Sequence, residues 1–287
     1  MGHYGRLGNQ MYQYSLLYSV GKKNGYEVAI PIDNQSIIDG RYNPVIGKND
    51  RYGLDLYRCF EINATSVDNF EIESEIQNQF RERLLGFDPD VFNVPDGTNF
   101  EGYFQSWKFF EDYFDEIRKE FIFTSEVIDK TKSWLSSSGI DESKTLVSVH
   151  IRRGDGIVDD GEFQVFLGME YYHSALGVLK REGIKNPQIL VFSDDVEWCK
   201  VNAIFNEDTT YVDTSVYDSG YVRSHYIDLC LMSQCHHNIM ANSTYSWWGA
   251  FLNKNKDAKT VVPKEWWGWR NKTNSEEYLR LDHWIKL

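Results

Sequence analysis

The feature that most constrains this chain is a regular alternation, in its second half, between short β-branched runs and segments patterned for helix. Residues 145–150, 188–192, 237–241 and 260–263 carry Val147, Val149, Ile189, Val191, Ile239, Val261 and Val262, flanked by turn-forming residues. Each run has the length of a buried strand, and the last is expected to be the final strand of the chain. Helical patterns fill the gaps at residues 169–181, 196–202, 228–235 and 244–253. Strands separated by helices bury both faces most simply as a doubly wound parallel sheet, so the predicted class is α/β. Gly249, inside the last helical pattern, is expected to allow close packing against that sheet.

The first half is less regular. Gly5-Arg6-Leu7-Gly8-Asn9-Gln10 reads as a glycine-punctuated loop, followed by a helix over residues 11–20 with one apolar face, an end at Gly25, and a short strand over residues 27–31. Residues 102–105 read as a strand, and residues 106–121 as an amphipathic helix through Phe109, Phe110, Tyr113, Ile117 and Phe121. A further helix over residues 124–138 ends at Gly139. Residues 33–99 show no deciding period and are expected to be loops or a helical insertion over a substrate cleft. A length of 287 residues suits two domains, placed at 1–125 and 126–287.

Composition removes several classes. A formal charge of −13 argues against a nucleic-acid surface or a polybasic membrane patch. No apolar run is long enough to form a transmembrane helix. Cys59, Cys199, Cys230 and Cys235 lack metal or disulfide spacing, and the N-terminus has no basic-then-apolar leader, so reduced thiols in a cytoplasm are expected. The sequons at Asn63, Asn242 and Asn271 are then chance matches or residues with other duties. Nine Trp and eighteen Tyr mostly serve packing, with sugar stacking as the alternative for a few.

Ligands of open parallel sheets bind beyond the carboxyl ends of the strands, and three strands here end in polar clusters. The first ends in His150-Ile151-Arg152-Arg153-Gly154-Asp155. In an acidic chain, paired guanidiniums at a strand end point to an anion such as a diphosphate; an ion pair with Asp155 is the plainer alternative. The second ends in Ser193-Asp194-Asp195, whose carboxylates suit a metal, a helix cap, or a base or ribose. The third ends in Asn242-Ser243-Thr244-Tyr245-Ser246, which reads as a phosphate cradle at a helix start or as simple capping. Asp88-Pro89-Asp90 matches a D-x-D metal motif but follows no strand and reads as a turn; His236-His237 reads as structural. Protease, esterase and P-loop motifs do not occur.

Together these segments resemble the bacterial α-1,2-fucosyltransferases of glycosyltransferase family 11. The likeness is carried by residues 5–14, 150–155, 191–195 and 241–250, with Gly102-Tyr103-Phe104-Gln105-Ser106-Trp107-Lys108 and Asp228 to Cys235 as supporting segments. The resemblance implies two Rossmann-like domains in a GT-B-type glycosyltransferase fold, the second binding a GDP-sugar and the first on the acceptor side. It further implies a GDP-fucose donor, inversion at the anomeric carbon, no metal or other cofactor, and a galactose-terminated surface glycan as acceptor. Any membrane contact would be peripheral, through a lipid-linked acceptor. By the same resemblance Arg152 and Arg153 stabilise the leaving diphosphate, and His150 with Ser193, Asp194 and Asp195 contacts the donor. Asn242, Ser243, Thr244 and Ser246 line its phosphates, and Gly8, Asn9 and Gln10 form the opposite wall. Asp155 is a candidate base, with Asp159, Asp160 and Glu162 as rivals. Two other readings stand beside it: a transferase of another GDP-sugar, and a non-catalytic glycan-binding module, which leaves the polar clusters at the strand ends unexplained. The family has a full strand before the G-x-L-G-N-Q segment, where this chain has Met1-Gly2-His3-Tyr4, so a very short first strand or a truncated start is expected.

Overall fold

The structure, a computed structural model, describes residues 5–31, 42–43, 48–49, 55–67, 76–83, 85–154, 161–219 and 221–287. Two compact units are present. Unit 1 comprises Met1–Ile122 with Asn274–Leu279, and unit 2 comprises Phe123–Thr273 with Arg280–Leu287.

Unit 1 is built around helix α1 (Leu7–Asn24). The helix starts inside the segment expected to be a loop, so Gly8, Asn9 and Gln10 form its first turn. Nor does it have one apolar face, because Gln10, Gln13, Ser15 and Ser19 are buried along with Met11, Tyr12, Tyr14 and Leu16. These polar groups are spent on internal hydrogen bonds. Gln10 Oε1 accepts from Asp55 N at 2.9 Å, Gln13 Nε2 donates to Gly102 O at 3.0 Å, and Tyr14 Oη donates to Glu120 Oε2 at 2.6 Å. A central helix inside a small unit must satisfy such groups locally: these three bonds tie down different segments, while Ser15 and Ser19 donate back to Met11 O and Ser15 O of the helix itself, both at 2.8 Å. Gly25 ends α1 in the left-handed region at φ 73°, as its sequence position predicts.

The strands of unit 1 are short: β1 (Ala29–Pro31), β2 (Tyr42–Asn43), β3 (Lys48–Asn49), β4 (Thr65–Val67), β5 (Asn78–Arg81) and β6 (Thr98–Glu101). They pair β1 with β4 and β5 with β6 in parallel, and β2 with β3 antiparallel. Helix α2 (Leu56–Cys59) lies between β3 and β4 in sequence. Among the described residues these pairs do not join into one Rossmann sheet. Residues 102–105 are not a strand, since β6 stops at Glu101. The Glu82 carboxylate takes the N–H groups of Tyr103 at 2.7 Å and Phe104 at 3.1 Å, and Phe104 turns to φ 52°. Nor do residues 106–121 form one helix. Two 3₁₀ turns (Trp107–Phe109 and Glu111–Tyr113) precede α3 (Phe114–Glu120), because the Trp107 N–H is drawn to Tyr278 O at 3.1 Å and the Phe110 ring is fully buried.

Unit 2 contains α4 (Ser125–Ser137), β7 (Leu146–Ile151), α5 (Met169–Arg181), β8 (Gln188–Ser193), α6 (Val196–Asn202), β9 (Thr209–Tyr211), α7 (Ser224–Gln234), β10 (His237–Ile239), α8 (Thr244–Phe251), β11 (Thr260–Val262) and β12 (Ile285–Lys286). The six strands form one parallel sheet in the order β12-β11-β10-β7-β8-β9. The edge strands β9 and β12 escape the sequence reading, and β12 rather than β11 ends the sheet. Val147, Val149 and Ile151 face a core completed by Tyr172, Ala175 and Leu179 of α5 and Cys199 of α6. The alternate residues face the other helices; Ser148 Oγ accepts from Asn238 Nδ2 at 2.7 Å, and the same Nδ2 donates to Met232 O of α7 at 2.9 Å. Gly249 does permit a close approach, but to Met232 of α7, not to the sheet: a Cβ there would be 2.9 Å from Met232 Cβ.

His236 and His237 are structural, each accepting a backbone N–H at Nδ1, from Leu146 at 2.9 Å and from Lys259 at 3.0 Å. All four cysteines are free and buried. Among the described residues no helix is long and apolar enough to cross a membrane.

Candidate active site

The order of the sheet fixes where a ligand would bind. The chain runs outward from β7 through β8 to β9, then returns to the other side of β7 with β10, β11 and β12. That reversal between β7 and β10 is a switch point, where the connections leave in opposite directions and open a crevice at the strands' carboxyl ends. The three polar clusters singled out in the sequence are the carboxyl ends of β7, β8 and β10.

At the end of β7, His150 is 8% exposed on the face opposite the Ile151 side chain, with its ring 5.7 Å from that of Tyr245 on α8. Arg152 turns away from β8 and donates through Nη1 to Gln164 Oε1 at 2.8 Å. Arg153 turns toward α6. Its Cζ lies 3.4 Å from the centroid of the Trp198 ring, and its Nε donates to Asp195 Oδ2 at 3.3 Å. The adjacent arginines are therefore held by different partners on different elements. Asp155, Asp159 and Asp160 lie outside the described residues. Glu162 pairs with Arg270.

At the end of β8 the two carboxylates divide their work. Asp194 accepts the backbone N–H groups of Arg153 and Gly154, both at 2.8 Å, and so closes the loop after β7. Asp195 caps α6 by accepting from Trp198 N at 3.1 Å through Oδ1 while its Oδ2 meets Arg153. Ser193 Oγ accepts from Asp195 N at 3.0 Å. Of the alternatives open in the sequence, helix capping is the one this geometry realises for Asp195. Among the described residues no cluster of three or more His, Cys, Asp or Glu side chains is arranged to hold a metal ion.

The cluster after β10 is more inward than a phosphate cradle requires. Asn242 is 4% exposed, and its Nδ2 donates to Val165 O at 2.6 Å and to Trp266 O at 3.2 Å. A sequon asparagine so engaged cannot accept a glycan in the folded protein. Ser243 caps α8 through Tyr245 N at 3.3 Å, and buried Ser246 bonds back to Ala241 O and Ser243 O. Thr244 is half-buried at the helix start. These side chains build the floor of the site, while the first-turn N–H groups of α8 keep the orientation that favours an anion.

The loop from Gly161 to Gly168 completes the arrangement. Gln164 bridges Trp267, Val165 N donates to Trp266 O at 3.1 Å, and Gly268 N donates to Phe163 O at 2.9 Å. A Cβ at Gly268 would come within 2.0 Å of Gly161 O, so only glycine permits this pairing. Gln164 and Trp198 thus join the site although neither was singled out in the sequence. Trp198, three residues after the Asp195 cap on a short helix, could have been found from that spacing; Gln164 carries no sequence signal.

In unit 1, Asn9 Oδ1 accepts from Gln105 Nε2 at 3.0 Å, and Gln10 is fully buried against Asp55. Gly8 is buried within the helix. Asp88 accepts from Asp90 N at 3.0 Å as the cap of a 3₁₀ turn over Pro89–Asn93, so the D-x-D match is a turn, as its sequence context suggests.

With a parallel sheet, a switch point and paired arginines beside it, the chain belongs to glycosyl transferase family 11, whose sequence profile matches residues 89–287. It is 31% identical to the O-antigen biosynthesis glycosyltransferase WbnK of Escherichia coli, over 99% of this chain and 98% of that protein. It is 27% identical to an alpha-1,2-colitosyltransferase of Escherichia coli, over 97% of each. Its fold is similar to that of NodZ alpha-1,6-fucosyltransferase in a crystal soaked with GDP-fucose: the TM-score is 0.51 at 12% identity, covering 87% of this chain and 90% of that one.

Proposed function

We propose that this family 11 glycosyltransferase moves L-fucose from GDP-fucose to the 2-hydroxyl of a terminal galactoside in a surface glycan, with inversion at the anomeric carbon. The observation that carries the reading is the Arg152–Arg153 pair at the carboxyl end of β7, beside the switch point of a parallel sheet. Similarity to NodZ, whose crystal was soaked with GDP-fucose, and to an alpha-1,2-colitosyltransferase supports the donor class and the linkage. In this reading unit 2 binds the GDP-sugar in a GT-B-type, two-Rossmann framework, unit 1 serves the acceptor, and the reaction takes place in the cytoplasm.

The acceptor oxygen attacks C1 of the sugar from the face opposite the diphosphate. The C1–oxygen bond to the β-phosphate breaks as the new glycosidic bond forms, and the acceptor proton passes to a carboxylate, for which Asp155 is the nearest in sequence to the arginines. Negative charge grows on the β-phosphate as it leaves. Guanidinium donors fixed in advance at that position each stabilise the transition state by about 3–4 kcal/mol without reorganising during the reaction. These side chains supply cationic charge to the diphosphate directly, so the mechanism uses no metal, and turnover is expected to persist in excess EDTA.

A second reading is favoured by the colitosyltransferase relative. Colitose differs from fucose by a deoxy carbon, so both GDP-sugars would engage the same diphosphate site, and discrimination would rest on contacts to one hydroxyl. Turnover with GDP-fucose, GDP-colitose and GDP-mannose against a panel of β-galactosides, with linkage determined in the product, separates the readings. An α-1,2-fucosylated product formed fastest from GDP-fucose is expected. A product formed only from another GDP-sugar would replace fucose as the donor, and absence of transfer or GDP release from every donor would leave a glycan-binding module.

A further inference from the structure

The Arg153 side chain is only 14% exposed, and three contacts determine its direction. One face of the guanidinium lies on the Trp198 ring at 3.4 Å, Nε–H is given to Asp195, and the backbone N–H is fixed by Asp194. Among the described residues no acceptor meets its two Nη groups, which share the guanidinium plane and so point along the indole face. Trp198 is itself firmly seated, half-buried and packed against the sheet core of unit 2. Its backbone N–H is held by the Asp195 side chain that also meets Arg153. Indole, carboxylate and guanidinium therefore form one closed unit on the first turn of α6.

We propose that Trp198 is a positioning residue for the donor diphosphate: its indole face holds the Arg153 guanidinium flat, so that the Nη edge meets a phosphate oxygen already oriented. The inference rests on the reading of Arg153 as a diphosphate contact. An arginine side chain loses considerable rotamer freedom on binding, and an aromatic platform removes that freedom beforehand. The platform also keeps the cation beside Asp195 from collapsing onto the carboxylate in a bidentate pair, which would turn the Nη edge inward.

The test is a double-mutant cycle on GDP binding by calorimetry and on kcat and KM for GDP-fucose. Trp198→Phe retains an aromatic face and is expected to stay within about twofold of wild type. Trp198→Leu keeps apolar bulk against the core but removes that face, and about tenfold weaker GDP binding with a matching fall in kcat/KM is expected, the scale of a largely desolvated cation–π contact. In an Arg153→Ala background the same Trp198→Leu change is expected to have no further effect. An equal loss in both backgrounds would mean that Trp198 only supports packing, which overturns the inference, as would GDP binding unchanged by Trp198→Leu. Failure of the wild-type protein to bind GDP would instead overturn the parent reading, and the inference with it.

Discussion

At the residue scale the site is a set of side chains whose freedom has been removed before any ligand arrives. Gly154 shows how tightly. Its N–H is held by Asp194 Oδ2, and a Cβ there would come within 2.6 Å of that same oxygen. Gly154→Ala is therefore expected to push the Asp194 carboxylate off the loop. The loss of a charge-assisted hydrogen bond costs about 1.5–3 kcal/mol. A drop in kcat on the order of tenfold is expected in a variant that still folds, since the loop is not part of the core; steady-state kinetics beside a thermal scan tests both parts. This also revises the part given to Asp194 in the sequence, where it stood as a contact to the nucleoside. Its carboxylate is engaged with the protein backbone, so its first duty is to shape the loop that carries Arg153.

At the element scale the parts that could be read in the sequence are those whose burial follows a simple period. The helices over 169–181 and 196–202 and the strands β7, β8, β10 and β11 were readable because both faces of the sheet are apolar and turn residues flank each run. The edge strands β9 and β12 were missed because, unlike the equally short but largely buried β10 and β11, they are only half-buried and carry no apolar run. Helix α1 was misjudged because its buried face includes glutamines and serines, which pattern reading assigns to solvent. Residues 106–121 carry apolar residues at helical spacing, yet the backbone hydrogen bond from Trp107 N to Tyr278 O and aromatic packing override that signal. Asp228 on α7 gives a prediction at this scale. Burial raises its pKa from an ordinary 3.8 to about 7, opposed by the hydrogen bond from Thr214 Oγ1 at 2.7 Å. A folded pKa above the unfolded one means that the neutral form stabilises the fold below about pH 4, and that this contribution is lost as pH rises through about 7. Asp228→Asn should melt about 2–4 °C higher than wild type at pH 8 and lose that advantage at pH 5, as a pair of thermal scans would reveal. The same difference at both pH values would contradict the assignment.

At the scale of the whole molecule, three segments distant in sequence become neighbours because the sheet order places their strands side by side. Reading the strands separately gave the polar ends; the parallel order β10-β7-β8 gives their adjacency, and no local pattern encodes that order. The cluster after β10 shows the limit of the sequence reading in the other direction. Asn242, Ser243 and Ser246 have the residue types of a phosphate cradle, but their side chains hold loops and the helix cap, and only the backbone of the α8 start keeps the suitable orientation. Donor recognition, as proposed, therefore falls chiefly on the two arginines. The most direct measurement is calorimetric titration of GDP into the wild-type protein and into Arg152→Ala and Arg153→Ala, with circular dichroism confirming that each variant is folded. The account predicts saturable GDP binding by the wild type and at least tenfold weaker binding in each variant. Wild-type affinity for GDP in both folded variants would contradict it.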